Sequence, residues 1–540
     1  MPVRRRKNEG GFTMISVVLG TALMAALSLV AVAAVSGDIH LTGNDLNHRR
    51  AYEAAKAGVN DYLFHLHRET DYWSHCTNVN PVNNAVNLQN ASPLKRRPVP
   101  GNTGGTYAIE LLPAAGQAQY TQCNGETATT AAASMLEPTG LLKGTFRIRS
   151  TGFSGGSKVS IIATFKPATF LDYVYFTQRE TSDPVTYGYG NPSPAYTGAN
   201  TQCGKTIKEG RYLAPIPTTS QYCDVISFTE GDSINGPMHT NDAFAICKNP
   251  TLGRGPTDPI EVSGPPVGWF STKDFPQSGS TCTGSSQNFK GTLTANSPAI
   301  TPPATNSALK TIAGLSFSGQ VRICLNGTSM SASSGKTCIE PPYYSGPIPA
   351  NGVVYVRNSE SVACSTVYSP FTATYPASSG CGNAFIHGEY SGQLTVATEN
   401  DIIIDGNLIH SGEGVLGLVA NNFVRIYHPF SSNETSAETG RHECNSGKNG
   451  TASIKDLRID AAILAISHSF IVDHYDCGAG LGKLTVNGAI AQMYRGAVGT
   501  IGASGYLKNY NYDDRLRFLQ PPSFTAPKQS DWVIGRETIG

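Results

Sequence analysis

The chain has 540 residues, of which 57 are glycine, 33 are proline and 15% are charged. A hydrophobic fraction of 39% is enough for a large core, which excludes a chain that is disordered throughout. The 40 basic and 39 acidic side chains nearly cancel, so a general basic surface for nucleic acid is excluded as well. Few charges, many glycines and 24 tyrosines favour a β-rich, extracytoplasmic protein.

A basic cluster, Arg4 to Lys7, precedes a stretch of 24 residues without a charge, from Phe12 to Val35. A helix of that length rises about 36 Å, which exceeds the hydrocarbon core of a bilayer at about 30 Å. The stretch therefore predicts a membrane-spanning helix over 12–35. The basic cluster before it predicts that the remaining chain lies outside the cytoplasm. A cleaved secretory signal, with a site such as Ala31-Val32-Ala33, is the alternative.

The residues Gly11-Phe12-Thr13-Met14-Ile15 follow the basic leader and open the apolar helix. They resemble the processing signal of type IV prepilins and pseudopilins. In that superfamily the prepilin peptidase removes the leader after the glycine, and the new N-terminal residue is methylated. The resemblance implies a leader over 1–11, cleavage between Gly11 and Phe12, and methylation of Phe12. It also implies other pilins or pseudopilins and the cytoplasmic membrane as partners.

The same superfamily usually has glutamate at the fifth position after the cleavage site, where this chain has Ser16. That carboxylate would pair with the amino terminus of a neighbouring subunit, because an unpaired charge in an apolar helix is costly. A subunit without it fits the end or the initiation of a filament better than a repeating position. Residues 51–59 also resemble the helix that follows the anchor in PilX-like proteins. The chain therefore resembles a PilX-like minor pilin.

An amphipathic helix is predicted to continue over 36–75. Its apolar residues recur at spacings of three and four, which predicts one buried stripe: Tyr52, Ala55, Val59, Tyr62 and Leu66.

Residues 76–170 are predicted to form a pilin-like β region. Strand-like alternation appears in three runs, at 107–112, 145–150 and 158–165. Between the last two runs, residues 152–156 have the G-x-S-x-G spacing of a hydrolase nucleophile elbow. That elbow needs a helix after its strand, whereas strand patterns flank this cluster on both sides. The cluster therefore predicts a hairpin turn and no catalytic role for Ser154.

Residues 171–350 are predicted to be a β-rich region clipped by disulfides. Its densest polar motif contains Asp232, His239 and Asp242, which together could hold a metal, and the oxygen ligands among them could suit calcium. Tight turns between strands explain the same composition. No other cofactor is expected.

From 351 to 505, valine-rich runs recur near multiples of 22 residues, with anchors at Val354, Val396, Val419, Leu464 and Val486. Such periods are typical of a solenoid, in which each coil buries its apolar face against the next. The sequence predicts a β-helix-like solenoid, with a β-sandwich as the alternative, and a C-terminal tail over 506–540. The predicted fold class is α+β and mostly β: a long N-terminal membrane-spanning helix, a small pilin-like sheet and then the solenoid head.

The cysteines all follow the apolar stretch, and none forms a C-x-x-C motif. Their even number outside the cytoplasm predicts disulfides. Sequence alone leaves the connectivity open. Pairing of neighbours closes loops of modest size and is favoured: Cys76–Cys123, Cys203–Cys223, Cys247–Cys282, Cys324–Cys338, Cys364–Cys381 and Cys444–Cys477.

The sequence thus predicts a membrane-anchored minor pilin-like subunit, crossing the cytoplasmic membrane once with its N-terminus inside and its head outside. It would reach a pilus or the cell surface and act in assembly initiation, at the tip, or in adhesion to a surface ligand. The alternatives are an exported β-helix enzyme acting on polysaccharide and a secreted adhesin with an ordinary signal peptide.

An enzyme is not expected, because the carboxylates of the solenoid have no spacing that demands acid–base chemistry. These residues are Glu389, Asp401, Asp405 and Glu413. The histidines of the same region are explained as polar turn positions: His387, His410, His468 and His474. Nucleic acid is not expected as a partner either.

Overall fold

The computed structural model divides into two units, one formed by 1–167 with 531–540 and the other by 168–530. The residues described are 12–68, 72–74, 86–90, 92–101, 104–114, 135–137, 145–187, 194–217, 222–264, 268–271, 282, 288–334, 338, 342–360, 362–364, 368–376, 378–431, 448–450, 452–500, 502–525, 527 and 532–539.

The described helices are α1 (Phe12–Arg68), α2 (Pro194–Cys203) and α3 (Ser307–Ile312), with 3₁₀ turns at Tyr72–Ser74, Phe170–Asp172, Pro184–Tyr187, Pro370–Thr372 and Asp514–Arg517. The described strands, numbered in chain order, are β1 (Val86–Leu88), β2 (Arg97–Pro98), β3 (Thr106–Leu112), β4 (Phe146–Ser154), β5 (Ser157–Pro167), β6 (Tyr175–Arg179), β7 (Ser227–Phe228), β8 (Ser233–Asn235), β9 (Met238–Thr240), β10 (Phe244–Ile246), β11 (Thr251–Leu252), β12 (Pro259–Val262), β13 (Trp269–Ser271), β14 (Asn288–Phe289), β15 (Thr292–Ala295), β16 (Leu315–Ser318), β17 (Val321–Gly327), β18 (Ser329–Ser333), β19 (Tyr344–Pro347), β20 (Val353–Arg357), β21 (Ala384–Tyr390), β22 (Gln393–Thr398), β23 (Ile402–His410), β24 (Val415–Ala420), β25 (Val424–Ile426), β26 (Phe430–Ser431), β27 (Lys448–Asn449), β28 (Arg458–Ala465), β29 (Phe470–Val472), β30 (Gly480–Tyr494), β31 (Gly499–Thr500), β32 (Ser504–Tyr512) and β33 (Trp532–Ile539).

The first unit packs the second half of α1 against a sheet with the order β1-β3-β4-β5-β33, to which β2 adds at β3. The predicted apolar stripe faces this sheet: Ala55, Val59, Tyr62 and Leu66 are buried, and Tyr52 is partly buried. Aromatic rings from the strands surround Tyr62, including Phe146 and Phe165. The spacing of three and four therefore identified the buried face of this helix correctly.

The glycine cluster at 152–156 forms the predicted hairpin. Strand β4 ends at Ser154, β5 begins at Ser157, and the two residues pair antiparallel. Gly155 and Gly156 both have positive φ, which two-residue hairpin turns require. Gly152 has a different function, because a Cβ there would lie 2.5 Å from the backbone nitrogen of Ala55. Glycine at this point lets the helix backbone approach the strand.

The last strand of the chain belongs to the first unit, not to a tail. Strand β33 pairs antiparallel with β5, with Ile539 opposite Ile161. A ring nitrogen of His67 in α1 also lies 3.0 Å from the carbonyl oxygen of Trp532. The structure therefore differs from the predicted tail over 506–540: residues 168–530 are inserted between two neighbouring strands of one sheet.

The second unit consists mainly of parallel ladders. One ladder has the order β16-β20-β22-β24-β28-β30-β6-β9-β12-β15. Others have the orders β17-β21-β23-β25-β29, β30-β32-β8-β11-β14 and β7-β10-β13. Successive buried side chains of the first ladder stack in register: Val354, Val396, Leu418, Ile463, Ile490, Tyr175, Met238 and Ile260.

These ladders correct the predicted solenoid of 351–505. A simple solenoid stacks its coils in the order of the chain. The described strands do not form a closed solenoid of this kind. Here β30 pairs with β6 and β32 pairs with β8, so strands from the end of the unit lie beside strands from its beginning. The anchor Val486 is opposite Ile459, whereas Ile490 is the residue of β30 that stacks in the column of Val354 and Val396. The predicted boundary at 350 also disappears, since strands from both sides share one ladder.

The prediction of a membrane-spanning helix also has to be corrected. Among the described residues, none of the helices carries an apolar stretch of the length that crossing a membrane requires. The predicted span over 12–35, and with it the single-pass localisation, is therefore wrong.

Candidate functional site

The exposed first part of α1 is the most unusual surface of the first unit. Its large apolar side chains are 58–72% exposed. They point to all sides of the helix rather than to one face: Ile15, Val17, Val18, Leu19, Leu23, Met24, Leu27, Leu29 and Val30. A helix that is apolar all round is normally surrounded by other elements. This segment is therefore a candidate interaction surface.

The few hydroxyl groups of this segment do not interrupt its apolar character. The hydroxyl of Thr21 donates to the carbonyl oxygen of Val17 at 3.0 Å, and that of Ser28 donates to Ala25 at 2.9 Å. Both side chains thus satisfy their polar atoms on the preceding turn of their own helix. Ser16, which stands where the pilin family usually has glutamate, is exposed on the same segment.

The helix changes character further along. Asp45 and Arg49 form an exposed ion pair of 3.1 Å one turn apart, and the buried stripe on the sheet begins at Ala51. One continuous helix therefore combines an exposed apolar segment, a polar segment and a buried amphipathic segment.

The predicted processing site is only partly visible. Gly11 lies outside the described residues, and Phe12 is the first residue of α1, with a side chain that is not described. Cleavage and methylation there stay predictions.

Four disulfides join cysteines that are neighbours in the sequence, as expected: Cys203–Cys223, Cys247–Cys282, Cys324–Cys338 and Cys364–Cys381. Cys477 is also disulfide-bonded. Cys76, Cys123 and Cys444 lie outside the described residues. No described cysteine is free.

The three candidate calcium ligands have separate partners. Asp232 accepts from the ammonium of Lys508 at 2.8 Å, and Asp242 forms a buried ion pair with Arg211. A ring nitrogen of His239 lies 3.0 Å from a carboxylate oxygen of Glu261. The structure therefore does not bring these three side chains together as one ligand set.

The carboxylates considered for an enzyme are also dispersed. Asp401 forms an ion pair with Arg425 at 3.2 Å, and burial raises the pKa of its carboxyl despite that arginine. Asp405 forms an ion pair with Arg322. Glu389 and Glu413 are exposed.

The histidines of the second unit are more than turn residues. His387, His410 and His468 each place Nδ1 within 3.0 Å of an aspartate oxygen, from Asp405, Asp460 and Asp183 respectively. Nδ1 of His474 lies 2.8 Å from the carbonyl oxygen of His428.

The pKa values of these histidines are shifted in different directions. Burial lowers the pKa of His387, which Arg322 lowers further, and it lowers the pKa of His474. At His468 burial is outweighed by the carboxylate of Asp183, so the pKa is raised above its ordinary value. The sequence did not indicate these pairs, because their members lie on different strands.

Sequence reasoning also missed a group of charges buried inside the second unit. Glu180 and Arg495 form an ion pair of 2.8 Å in which both side chains are almost fully buried, and Lys508 with Asp232 forms another. The partners are separated by 315 and 276 residues. Their only sequence signal was the density of polar residues around Asp232.

No protein-family model matches the chain, and no curated protein matches it either. Among solved structures, the competence-associated pilin ComZ from Thermus thermophilus aligns with 92% of this chain and 97% of its own length. The identity is 12% and the TM-score is 0.26. A TM-score of this size supports no argument about this chain.

Proposed function

We propose that the chain is a pilin-like subunit that enters a filament through the exposed apolar segment of α1. The single observation that carries this proposal is the division of one helix into a buried half and an exposed apolar half. One face of residues 51–66 is covered by the sheet of their own unit, whereas the large side chains of 15–30 are exposed. The occupants that we infer for this segment are the corresponding helices of other pilin-like subunits.

Several helices are needed to cover this segment, because its apolar side chains point in all directions. A filament core supplies such neighbours, whereas a single partner covers one side only. The second unit, a large β structure inserted into the sheet of the first, would then be the head that the filament displays.

We further propose that the subunit is a PilX-like minor pilin that acts in initiation, at the tip or in adhesion. Support comes from Ser16, which offers no carboxylate to the amino terminus of a neighbour. The subunit should therefore be rare relative to a glutamate-bearing major pilin. Immunogold labelling along sheared filaments measures this directly, and frequent, evenly spaced labelling would contradict the tip assignment.

The filament proposal is tested by Leu23→Lys. Leu23 is 65% exposed, so the substitution leaves the core of the subunit intact, but in a filament it would bury an unpaired charge. We expect the share of the chain in sheared filaments to fall by more than about tenfold, which corresponds to about 1.4 kcal/mol.

Leu213→Lys is the matched control, because it makes the same change at a leucine that is 88% exposed in the second unit. It should leave incorporation unchanged. Equal incorporation of the Leu23→Lys variant and the unmodified chain would show that the apolar segment is not an assembly surface.

A non-enzymatic role is part of the same proposal. The candidate carboxylates support it, because Asp401 and Asp405 are each held by a different arginine. Hydrolysis of polysaccharide needs two carboxyl groups that flank one bond. Release of reducing sugar by the purified chain, lost in the Asp401→Asn variant, would contradict this role.

A further inference from the structure

The first and the last strands of the second unit, in chain order, lie side by side at a seam within its ladders. Strand β30 pairs with β6, and β32 pairs with β8, with Tyr510 opposite Ile234. From this seam the first ladder continues through β6, β9, β12 and β15 in one direction, and through β30, β28, β24, β22, β20 and β16 in the other. The chain does not lead directly from β30 to β6 or from β32 to β8. The stability of the seam therefore depends on the contacts between these strands.

Lys508 and Asp232 lie at this seam as a buried pair in direct contact. Lys508 is 8% exposed and Asp232 is 2% exposed. The ammonium nitrogen Nζ lies 2.8 Å from Oδ2 of Asp232, and the backbone N–H of Lys508 donates to Oδ1 at 3.0 Å. The backbone N–H of Thr229 also donates to Oδ2 at 3.0 Å. Three donors therefore hold the carboxylate in one orientation against the amine.

The surroundings of Lys508 favour its uncharged amine. The ring of Phe228 lies 6.0 Å from Nζ on one side and 3.7 Å from the guanidinium carbon of Arg495. Burial lowers the pKa of the Lys508 ammonium, although the Asp232 carboxylate opposes the shift. Burial of this kind favours the uncharged amine of Lys508 over the ammonium. An uncharged amine is also the form that acts as a nucleophile.

We propose that Lys508 and Asp232 condense to an intramolecular isopeptide bond. A proton first passes from the ammonium to Oδ2 along their hydrogen bond. Nζ then attacks Cγ, and the charge that develops on Oδ1 is held by the backbone N–H of Lys508. A second proton passes from nitrogen to Oδ2, the bond between Cγ and Oδ2 breaks, and one water leaves. One amide and one water form from one ammonium and one carboxylate, so no oxidant or other reactant is needed.

Two features of the site favour the amide over the ion pair. The groups are already in contact, so the amine and the carboxyl group are held at a high effective concentration. Condensation also removes one buried positive and one buried negative charge. The remaining pair, Glu180 with Arg495 at 2.8 Å, stays balanced, so no charge is left without a partner.

The bond would join residues 276 positions apart across the seam. It would therefore add a covalent link between two stretches of strands that the described contacts join by hydrogen bonds, ion pairs and packing. A head displayed on a filament would keep its fold under pulling forces that separate non-covalent strands.

The test uses the purified full chain, which is reduced, denatured and digested with trypsin before mass spectrometry. We expect one branched peptide that contains both Asp232 and Lys508 and weighs about 18 Da less than its two linear parts. Trypsin should not cut after Lys508, because its amine is acylated. Recovery of the two linear peptides at full mass, with no branched product, would show an ion pair only and overturn the proposal.

Lys508→Arg serves as the control, since arginine keeps a positive charge beside Asp232 but does not form the amide. The branched peptide should disappear in this variant, and the intact mass should rise by the substitution plus about 18 Da. A branched peptide that persists in Lys508→Arg would assign the cross-link to other residues and also overturn the proposal. The readout on the unmodified chain stands by itself if the variant does not fold.

Discussion

Replacing Gly58 by alanine tests how closely α1 approaches the sheet of the first unit. A Cβ at Gly58 would lie 2.7 Å from a ring carbon of Tyr107 and closer still to the hydroxyl of Ser150. Gly43 lies in the same helix, and a Cβ there would meet nothing within 4 Å. The two glycines therefore share a helical backbone and differ in their packing.

The expected magnitudes follow from this difference. In a helix interior alanine is more favourable than glycine by up to about 1 kcal/mol, because the unfolded chain loses less entropy. At Gly43 this gain should appear as added stability. At Gly58 an overpacking cost of about 1–3 kcal/mol opposes it, since the buried ring of Tyr107 has little room to move. We expect Gly58→Ala to be less stable than Gly43→Ala by about 1–3 kcal/mol.

Tryptophan fluorescence can follow the unfolding of the first unit. Trp73 and Trp532 lie 5.7 Å apart in its aromatic cluster, whereas Trp269, the third tryptophan of the chain, belongs to the second unit. In a Trp269→Phe background the signal reports the first unit alone. A difference of 1 kcal/mol should shift Tm by about 2–4 °C for a unit of this size. If Gly58→Ala raises Tm as much as Gly43→Ala, the close contact between helix and strand does not exist in solution.

Three further predictions concern other parts of the chain. Because the pKa of His468 is raised by Asp183, its stabilisation should be full below the unfolded pKa of about 6.5 and be lost as the pH rises through the folded pKa; denaturant midpoints against pH should show this fall in the unmodified chain and not in His468→Gln. Asp473→Asn should cost about 3 kcal/mol or more in unfolding free energy, because the carboxylate that accepts from two nitrogens of the buried guanidinium of Arg425 is lost; an unchanged urea midpoint would contradict that. Gly11→Val should leave the leader attached, and N-terminal sequencing would refute the processing site if it found a start elsewhere in the unmodified chain.

Several features of this protein could be predicted from the sequence because their causes are local. The spacing of Tyr52 to Leu66 depends on helical geometry alone, and it identified the face that the sheet covers. The two glycines at 155 and 156 supply the positive φ that a hairpin needs, whatever lies around it. The four visible disulfides close short stretches of chain, so neighbouring cysteines were the natural pairs. The apolar character of 12–35 was equally plain from the sequence, although the membrane span inferred from it was wrong.

Only the tertiary structure decided which distant segments lie side by side. Nothing local to β33 indicates that it pairs with β5, because its partner is defined by the edge that the rest of the sheet leaves open. The valine-rich runs predicted stacking, but any such strand can stack on any other, and the order of the ladders depends on which apolar side chains fit in register. The pair Lys508–Asp232 follows from that order, since two residues 276 positions apart become neighbours only when β32 lies beside β8. Periodicity is a property of one segment, whereas pairing is a property of two, and the free energy that selects a partner appears only when both are folded together.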